Sequence, residues 1–345
     1  MTTVLCTLYN SLYLDKGLVL YDSLCKCAKD FKLYVLCMDD KCYEVLKDLK
    51  QEHHIPVRLS DFEKGDVALL KAKGNRPMGE YCWTCSSSFI RYVLKHYGEE
   101  SCTYIDADMY FYNDPKVLID EMLEARKSVM VVPHRFSDDK KDLAKSAGTY
   151  CVEFNVFLNT SESLKVLEYW RERCLECCSA LGDGIHYGDQ KYLEELVVKY
   201  DCVHQCNHLG AGIAPWNISL YRSAENSSTS VVFKPTGQWV DVVFYHYQNL
   251  NYITRKRAST GIFARRMDVD YILVDRLYYN YMCCLDEKKQ WLSDVYGINI
   301  LIKSHPAFKK TLGIKARFRR TLPFKILKKL YERIRGTEAY YVNIA

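Results

Sequence analysis

Asp106 and Asp108 stand one residue apart where an apolar run breaks off. Tyr104-Ile105 precede them, and Met109 to Tyr112 follow. In an extended chain, residues i and i+2 face the same way, roughly 6.5–7 Å apart. Two carboxylates so placed repel each other unless a cation sits with them. Oxygen donors on an open edge, with no Cys or His beside them in sequence, suit magnesium or manganese together with substrate phosphates. Asn113-Asp114-Pro115 then turns the chain away. The plainer alternative is a solvated aspartate pair in a strand-to-turn connection. The apolar residues on both sides favour the metal reading, although a D-x-D pattern recurs by chance.

Other residue types invite chemistry less strongly. Cys82-x-x-Cys85 lies in a helical pattern, whereas a thioredoxin-like pair belongs where a strand enters a helix, so core cysteines are expected. Cys202, His204, Cys206 and His208 alternate, which is not zinc-finger spacing. His246 sits near the end of a largely apolar stretch, Trp239 to Tyr247. Such a histidine is usually structural unless partners face it across a cleft. Asp189 falls near the start of a helical pattern, where capping is the simple explanation. Arg91 lies off the apolar stripe of its helix, open either to solvent or to a phosphate held bidentately.

The elements that must position these residues alternate. Thr3–Leu8, Phe31–Met38 and Ile55–Leu59 read as strands, separated by helical patterns at Lys16–Lys29 and around Tyr43–Leu49. That order predicts an α/β fold with a mostly parallel sheet and crossover helices. Ligands in such sheets lie beyond the carboxyl ends of the strands. Further helices are expected over Glu80–Tyr97, Val117–Arg126, Leu164–Cys178 and from Tyr187. Strands are expected at Ser128–Pro133, Glu153–Asn159 and Trp239–Tyr247. His208 to Asn217 is a glycine-rich loop.

The chain has 345 residues, 48% apolar and 26% charged, an ordinary globular balance. Its 28 tyrosines suit either sugar-binding surfaces or a core. No run approaches the roughly 18 apolar residues of a membrane helix, and the first residues lack a signal-peptide pattern, so a cytoplasmic protein with reduced thiols is expected. Residues 301–345 carry a net charge of +10 against −5 for the rest. Pro323–Ile334 is amphipathic, with Phe324, Leu327, Leu330, Tyr331 and Ile334 opposing Lys325, Lys328, Lys329 and Arg333. This pattern fits peripheral contact with an anionic membrane at its inner face through 317–335, or a terminal helix docked on the body. Nucleic acid is not an expected partner, since no recognition motif is present. Two units are expected: 1–255, and a basic extension over 256–345.

Taken in order, Tyr104-Ile105-Asp106-Ala107-Asp108, Phe154-Asn155, Asp189-Gln190, Trp216-Asn217 and His246 resemble retaining nucleotide-sugar transferases of the GT-A fold, nearest to glycosyltransferase family 8 and its bacterial relatives. The resemblance spans roughly residues 1–250 and lies in the order of five individually weak signals. It implies an α/β/α sandwich around a Rossmann-like sheet, with a nucleotide-binding N-terminal half. It also implies transfer of a sugar, with retention, from a nucleoside diphosphate sugar, UDP by preference, to a glycan or lipid-linked acceptor. Asp106, Asp108 and His246 would hold Mn2+ or Mg2+. Thr7, Tyr9, Asn10, Arg91, Asp106 and Ala107 would contact the nucleotide, and Asn155, Asp189 and Gln190 the sugar, with Asp189 and Gln190 beside the reacting carbon. Two departures stand out. The lysine expected after His246 is missing from Tyr247-Gln248-Asn249-Leu250, leaving Arg255 or Lys256 as substitutes, and Phe154-Asn155-Val156-Phe157 alters the sugar-pocket motif. Rival readings are a D-x-D phosphatase, disfavoured by Tyr110, and a non-catalytic nucleotide-sugar-binding module.

Overall fold

The computed structural model describes residues 2–180, 187–225, 227, 229–265, 268–300 and 337–344. β1 (Thr3–Tyr9) passes through a 3-10 turn into α1 (Leu14–Cys27). β2 (Phe31–Cys37), α2 (Asp40–Leu49) and β3 (His54–Arg58) follow. The apolar positions Leu14, Leu18, Tyr21 and Leu24 put one face of α1 on the sheet. Asp39 starts α2 by accepting the Cys42 N–H at 2.7 Å. α3 (Leu59–Glu63), α4 (Val67–Asn75) and α5 (Met78–His96) lead back to β4 (Ser101–Ile105). Then come β5 (Met109–Phe111), α6 (Lys116–Glu124), β6 (Val129–Pro133), α7 (Leu143–Ala147), β7 (Tyr150–Leu158), α8 (Ser161–Glu176), α9 (Leu193–Lys199) and β8 (Val203–Gln205).

The main sheet has seven strands in the order β3-β2-β1-β4-β7-β6-β8. β7 runs against its neighbours β4 and β6, and the other pairings are parallel. The fold is therefore α/β with a mainly parallel sheet, as expected. Side chains alternate across it. Leu5, Leu33 and Val35 meet α1, α2 and α6 on one face, while Cys6, Tyr34 and Leu36 meet α4, α5 and α8 on the other. The strand order reverses between β1 and β4, because the chain steps outward to β3 before returning. That reversal is where an open α/β sheet leaves a crevice. Asn10 follows β1 there, and Asp106 follows β4.

The remaining chain builds smaller sheets on this body. β9 (Tyr221–Ser223), β10 (Ser230–Phe233) and β11 (Gln238–Asp241) form an antiparallel meander, and β12 (Phe244–His246) pairs with β5. The single strand expected over Trp239–Tyr247 is thus two, in different sheets, separated after Asp241. β13 (Asn251–Thr254) and β14 (Arg257–Arg265) form a hairpin whose turn contains residues 255 and 256, the expected unit boundary. α10 (Tyr271–Tyr296) packs along α1, and β15 (Thr337–Asn343) pairs with β14. Many of the tyrosines fill this core. Tyr247 stacks on Tyr281 at 3.7 Å between centroids, and the Tyr245 and Tyr278 hydroxyls meet at 2.9 Å. The amphipathic segment Pro323–Ile334 lies outside the described residues.

Candidate functional site

Three segments far apart in sequence deliver the site. Asp106 and Asp108 flank the step from β4 to β5. β12 lies antiparallel to β5, with His246 opposite Met109 and the Tyr247 N–H donating to the Asp108 carbonyl at 2.8 Å. This register puts His246 Nε2 3.1 Å from Asp108 Oδ1 and 3.6 Å from Asp106 Oδ2. The third segment is β7. Between the pairs Met130–Val156 and Val132–Cys151, the single residue Val131 lies opposite Val152 to Asn155, so β7 bulges. The bulge places Glu153 Oε2 2.7 Å from His246 Nδ1, fully buried.

The glycine-rich loop secures this arrangement. The His246 N–H donates to the Ile213 carbonyl at 2.9 Å. Gly212 has φ +69, and a Cβ there would stand 3.0 Å from Glu153 Oε1. A Cβ on Gly210 would fall 1.9 Å from the Asp241 carbonyl oxygen. Asn217 ties the loop together, donating to the Gly212 and His134 carbonyls and accepting the Ala214 N–H. Arg135 reaches across to the Ala211 and Cys206 carbonyls, both at 2.7 Å.

The electrostatics separate the two aspartates. Burial and the neighbouring carboxylates of Asp108 and Glu153 push Asp106 up to about 6, although His246 opposes the shift. Burial also acts on Asp108, but Lys16 and His246 outweigh it and hold its carboxyl well below the usual range. Burial alone would lower His246. Its contacts with Asp108, Cys151 and Glu153 instead raise it well above an ordinary imidazole. Asp106 keeps 30% of its side-chain surface open, against 3% for His246.

Two aspartate oxygens and an imidazole nitrogen are a fitting donor set for manganese or magnesium. Glu153 on Nδ1 would leave Nε2 to point its lone pair at the aspartates, the usual carboxylate–histidine–metal arrangement. Its Oε1 has no hydrogen-bond partner among the described residues. Cys151, Glu153 and His246 also bring three potential ligand atoms within 4.8 Å of one another, all buried. Burial pushes the Cys151 thiol up to about 12.

The remaining predicted residues divide. Asp189 precedes α9 by four positions and does not cap it. Its Oδ2 accepts from Ser86 Oγ at 2.6 Å, so the small side chains of α5 admit the Asp189 loop. Burial and the charge on Asp106 raise Asp189 to about 7, against the Ser86 hydrogen bond. Gln190 donates to the Ala147 carbonyl, and Asn155 is fully buried with its amide donating to the Val152 carbonyl across the bulge. Ala107 packs into the core between the aspartates. Asn10 accepts the Leu12 N–H and starts the turn after β1. Thr7 is wholly buried in β1, and the Tyr9 ring lies in the core against Gly17, whose Cβ would come within 2.3 Å of it. Arg91 pairs with Glu168 and lines a cavity of about 450 Å³ with Lys64, Asp66 and Arg171, away from the site acids. Arg255 is committed to Asp286 and Gln290. His204 binds Glu121 at 2.6 Å, and Glu121 also takes the Asn207 and His208 N–H groups, anchoring that stretch to α6.

Two residues of this cluster escaped sequence reasoning. Glu153 only opens an expected strand and Lys16 an expected helix, and neither stands out in the sequence. Lys16 donates to Asp108 Oδ2 at 3.4 Å with only 8% of its side chain exposed.

Fold and site together define an α/β protein with an acidic–histidine cluster at the switch point of its sheet. No family model matches the chain. The chain is 30% identical over 292 residues to the uncharacterized protein YfnD of Bacillus subtilis (strain 168), covering 84% of this chain and 89% of that one. It is 30% identical over 280 residues to YfnF of the same organism, covering 79% and 89%. The chain belongs to the family of these two proteins. Among solved structures it is similar to mouse xyloside xylosyltransferase 1, with 13% identity, 72% of this chain and 98% of that one covered, and a TM-score of 0.45. It is also similar to the galactosyltransferase LgtC, with 14% identity, 71% and 87% covered, and a TM-score of 0.45. The glycosyltransferase GlyE of Streptococcus pneumoniae TIGR4 gives 11% identity, 88% and 66% covered, and a TM-score of 0.44.

Proposed function

We propose that this chain is a metal-dependent glycosyltransferase of the GT-A, family-8-like kind. It moves a sugar from a nucleoside diphosphate sugar, UDP by preference, to a hydroxyl of a glycan or lipid-linked acceptor, with retention. The convergence of Asp106, Asp108 and His246 at the β1/β4 switch point carries this reading. Asp106, Asp108 and His246 Nε2 would hold Mn2+ or Mg2+, which when bound supplies a Lewis acid for the departing diphosphate. Glu153 holds His246 by Nδ1, so the imidazole meets its ligand without reorganising. Asp189, fixed by Ser86 and titrating near neutrality, serves as the acceptor for a donor-sugar hydroxyl. Gln190 lies beside it and positions the reacting carbon. No general base is assigned, because in a retaining reaction a departing phosphate oxygen can take the proton of the attacking hydroxyl.

The test is a panel of nucleotide sugars with manganese, scored for slow hydrolysis and for transfer. Asp108→Asn should lower turnover by about 100-fold or more while circular dichroism stays unchanged. Wild-type turnover in Asp108→Asn would remove the metal role. No turnover of any nucleotide sugar by the wild-type protein would remove the enzyme.

A further inference from the structure

A diphosphate drawn to Asp106, Asp108 and His246 needs a cation of the protein to meet it. Arg255 faces Asp286, Arg91 faces Glu168, and Arg135 is spent on backbone carbonyls. Lys16 is different. It sits in the first turn of α1, beyond the carboxyl end of β1 and beside Asp108. A lysine is poorly placed there with respect to the helix dipole, which favours anions at that end. Its side chain is 8% exposed, and its ammonium reaches the Asp108 carboxylate at 3.4 Å and the Tyr13 ring at 4.3 Å. A buried ammonium needs an anion. Once a divalent cation occupies Asp108, that carboxylate no longer serves Lys16 alone, and the anion arriving with the cation is the diphosphate.

We propose that Lys16 is the residue that binds the donor's diphosphate, passing from Asp108 to a phosphate oxygen as the nucleotide enters. This rests on the nucleotide-sugar reading above. Asp108 acts as the placeholder for Lys16 while the site awaits the nucleotide.

Calorimetric titration with UDP, GDP, CDP and dTDP, each in manganese and in EDTA, tests this on the full chain. With manganese, Lys16→Met should bind the preferred nucleoside diphosphate about tenfold to a hundredfold more weakly, with affinity for the bare nucleoside unchanged. Lys16→Arg should recover part of the loss. In EDTA, Asp108→Asn releases Lys16 and should bind the diphosphate about fivefold or more tightly than wild type. The double variant Lys16→Met/Asp108→Asn carries neither buried charge, and it should lose that gain. If wild type binds a diphosphate and Lys16→Met binds it equally, or if the double variant keeps the gain, the assignment of Lys16 falls and the nucleotide-sugar reading stands. If wild type binds none of the four in either buffer, the reading fails and Lys16 falls with it.

Discussion

His246 has a carboxylate on each ring nitrogen, and the two play different parts. Asp108 meets the nitrogen that would face a cation, and Glu153 fixes the other. Glu153→Gln keeps a carbonyl oxygen for Nδ1–H and removes the charge. Manganese affinity should fall about tenfold to a hundredfold with the fold intact, measured by metal titration followed by electron paramagnetic resonance. Asp189 gives a pH signature. Its pKa of about 7 in the fold stands against 3.8 without burial. The stability this group contributes is complete below about pH 3.8 and is lost as pH rises through about 7. Asp189→Asn has no such titration. Relative to that variant, wild type should lose about 3 kcal/mol between pH 5 and pH 8, read from urea unfolding at each pH. That Asp106, Asp108 and His246 meet was legible through the resemblance, which rests on their order along the chain. Lys16 and Glu153 were not, since Lys16 pairs 92 residues away and Glu153 93 residues away, and neither sits in a motif.

Among elements, the loop from His208 to Asn217 shows how backbone shape sets the site. Gly210→Ala drives a Cβ into the Asp241 carbonyl at 1.9 Å, so the loop must shift and carry the support of His246 with it. Thermal unfolding should show a loss of about 2 kcal/mol or more, of the size seen for overpacking. Gly79→Ala, on α5 with nothing within 4 Å, should instead gain about 0.5–1 kcal/mol. The glycines were visible as a loop signal, but which of them a neighbouring backbone crowds was not. The early strands and helices were legible because both faces of the sheet are covered and its strands read as apolar runs. The later elements depart from the sequence pattern where local pattern does not decide. Trp239–Tyr247 is one apolar run, yet Asp241 lies against Gly210 and the strand breaks there. The helix expected from Tyr187 begins only at Leu193, after the loop in which Asp189 is drawn to Ser86.

At the scale of the molecule, the far end of the chain returns to the body. β15 pairs with β14, Thr260 Oγ1 donates to the Tyr340 carbonyl at 2.9 Å, and the Ile344 N–H donates to the Lys256 carbonyl at 2.9 Å. Removing everything from residue 317 onward would strip a strand from this sheet as well as the basic segment. Membrane contact is better tested by changing Lys325, Lys328, Lys329 and Arg333 together to glutamine. We expect that variant to be released from vesicles rich in phosphatidylserine, at about 1 kcal/mol per charge removed, while its melting temperature stays unchanged. Equal vesicle binding by both proteins would assign the basic segment elsewhere. Among the described residues no helix is long and apolar enough to cross a membrane.

The imidazole reaches the acids on a ribbon of two three-residue strands, β5 and β12, which lies outside the seven-stranded sheet. The ribbon pairs three residues where β1 and β2 pair seven, so although its side chains are buried we expect it to open before the sheet beside it. Amide protons of Tyr112 and Tyr247, which bridge to its edges, should exchange with deuterium sooner than those of β1 and β2. On gradual warming, capture of manganese should fade several degrees before the bulk of the protein comes apart.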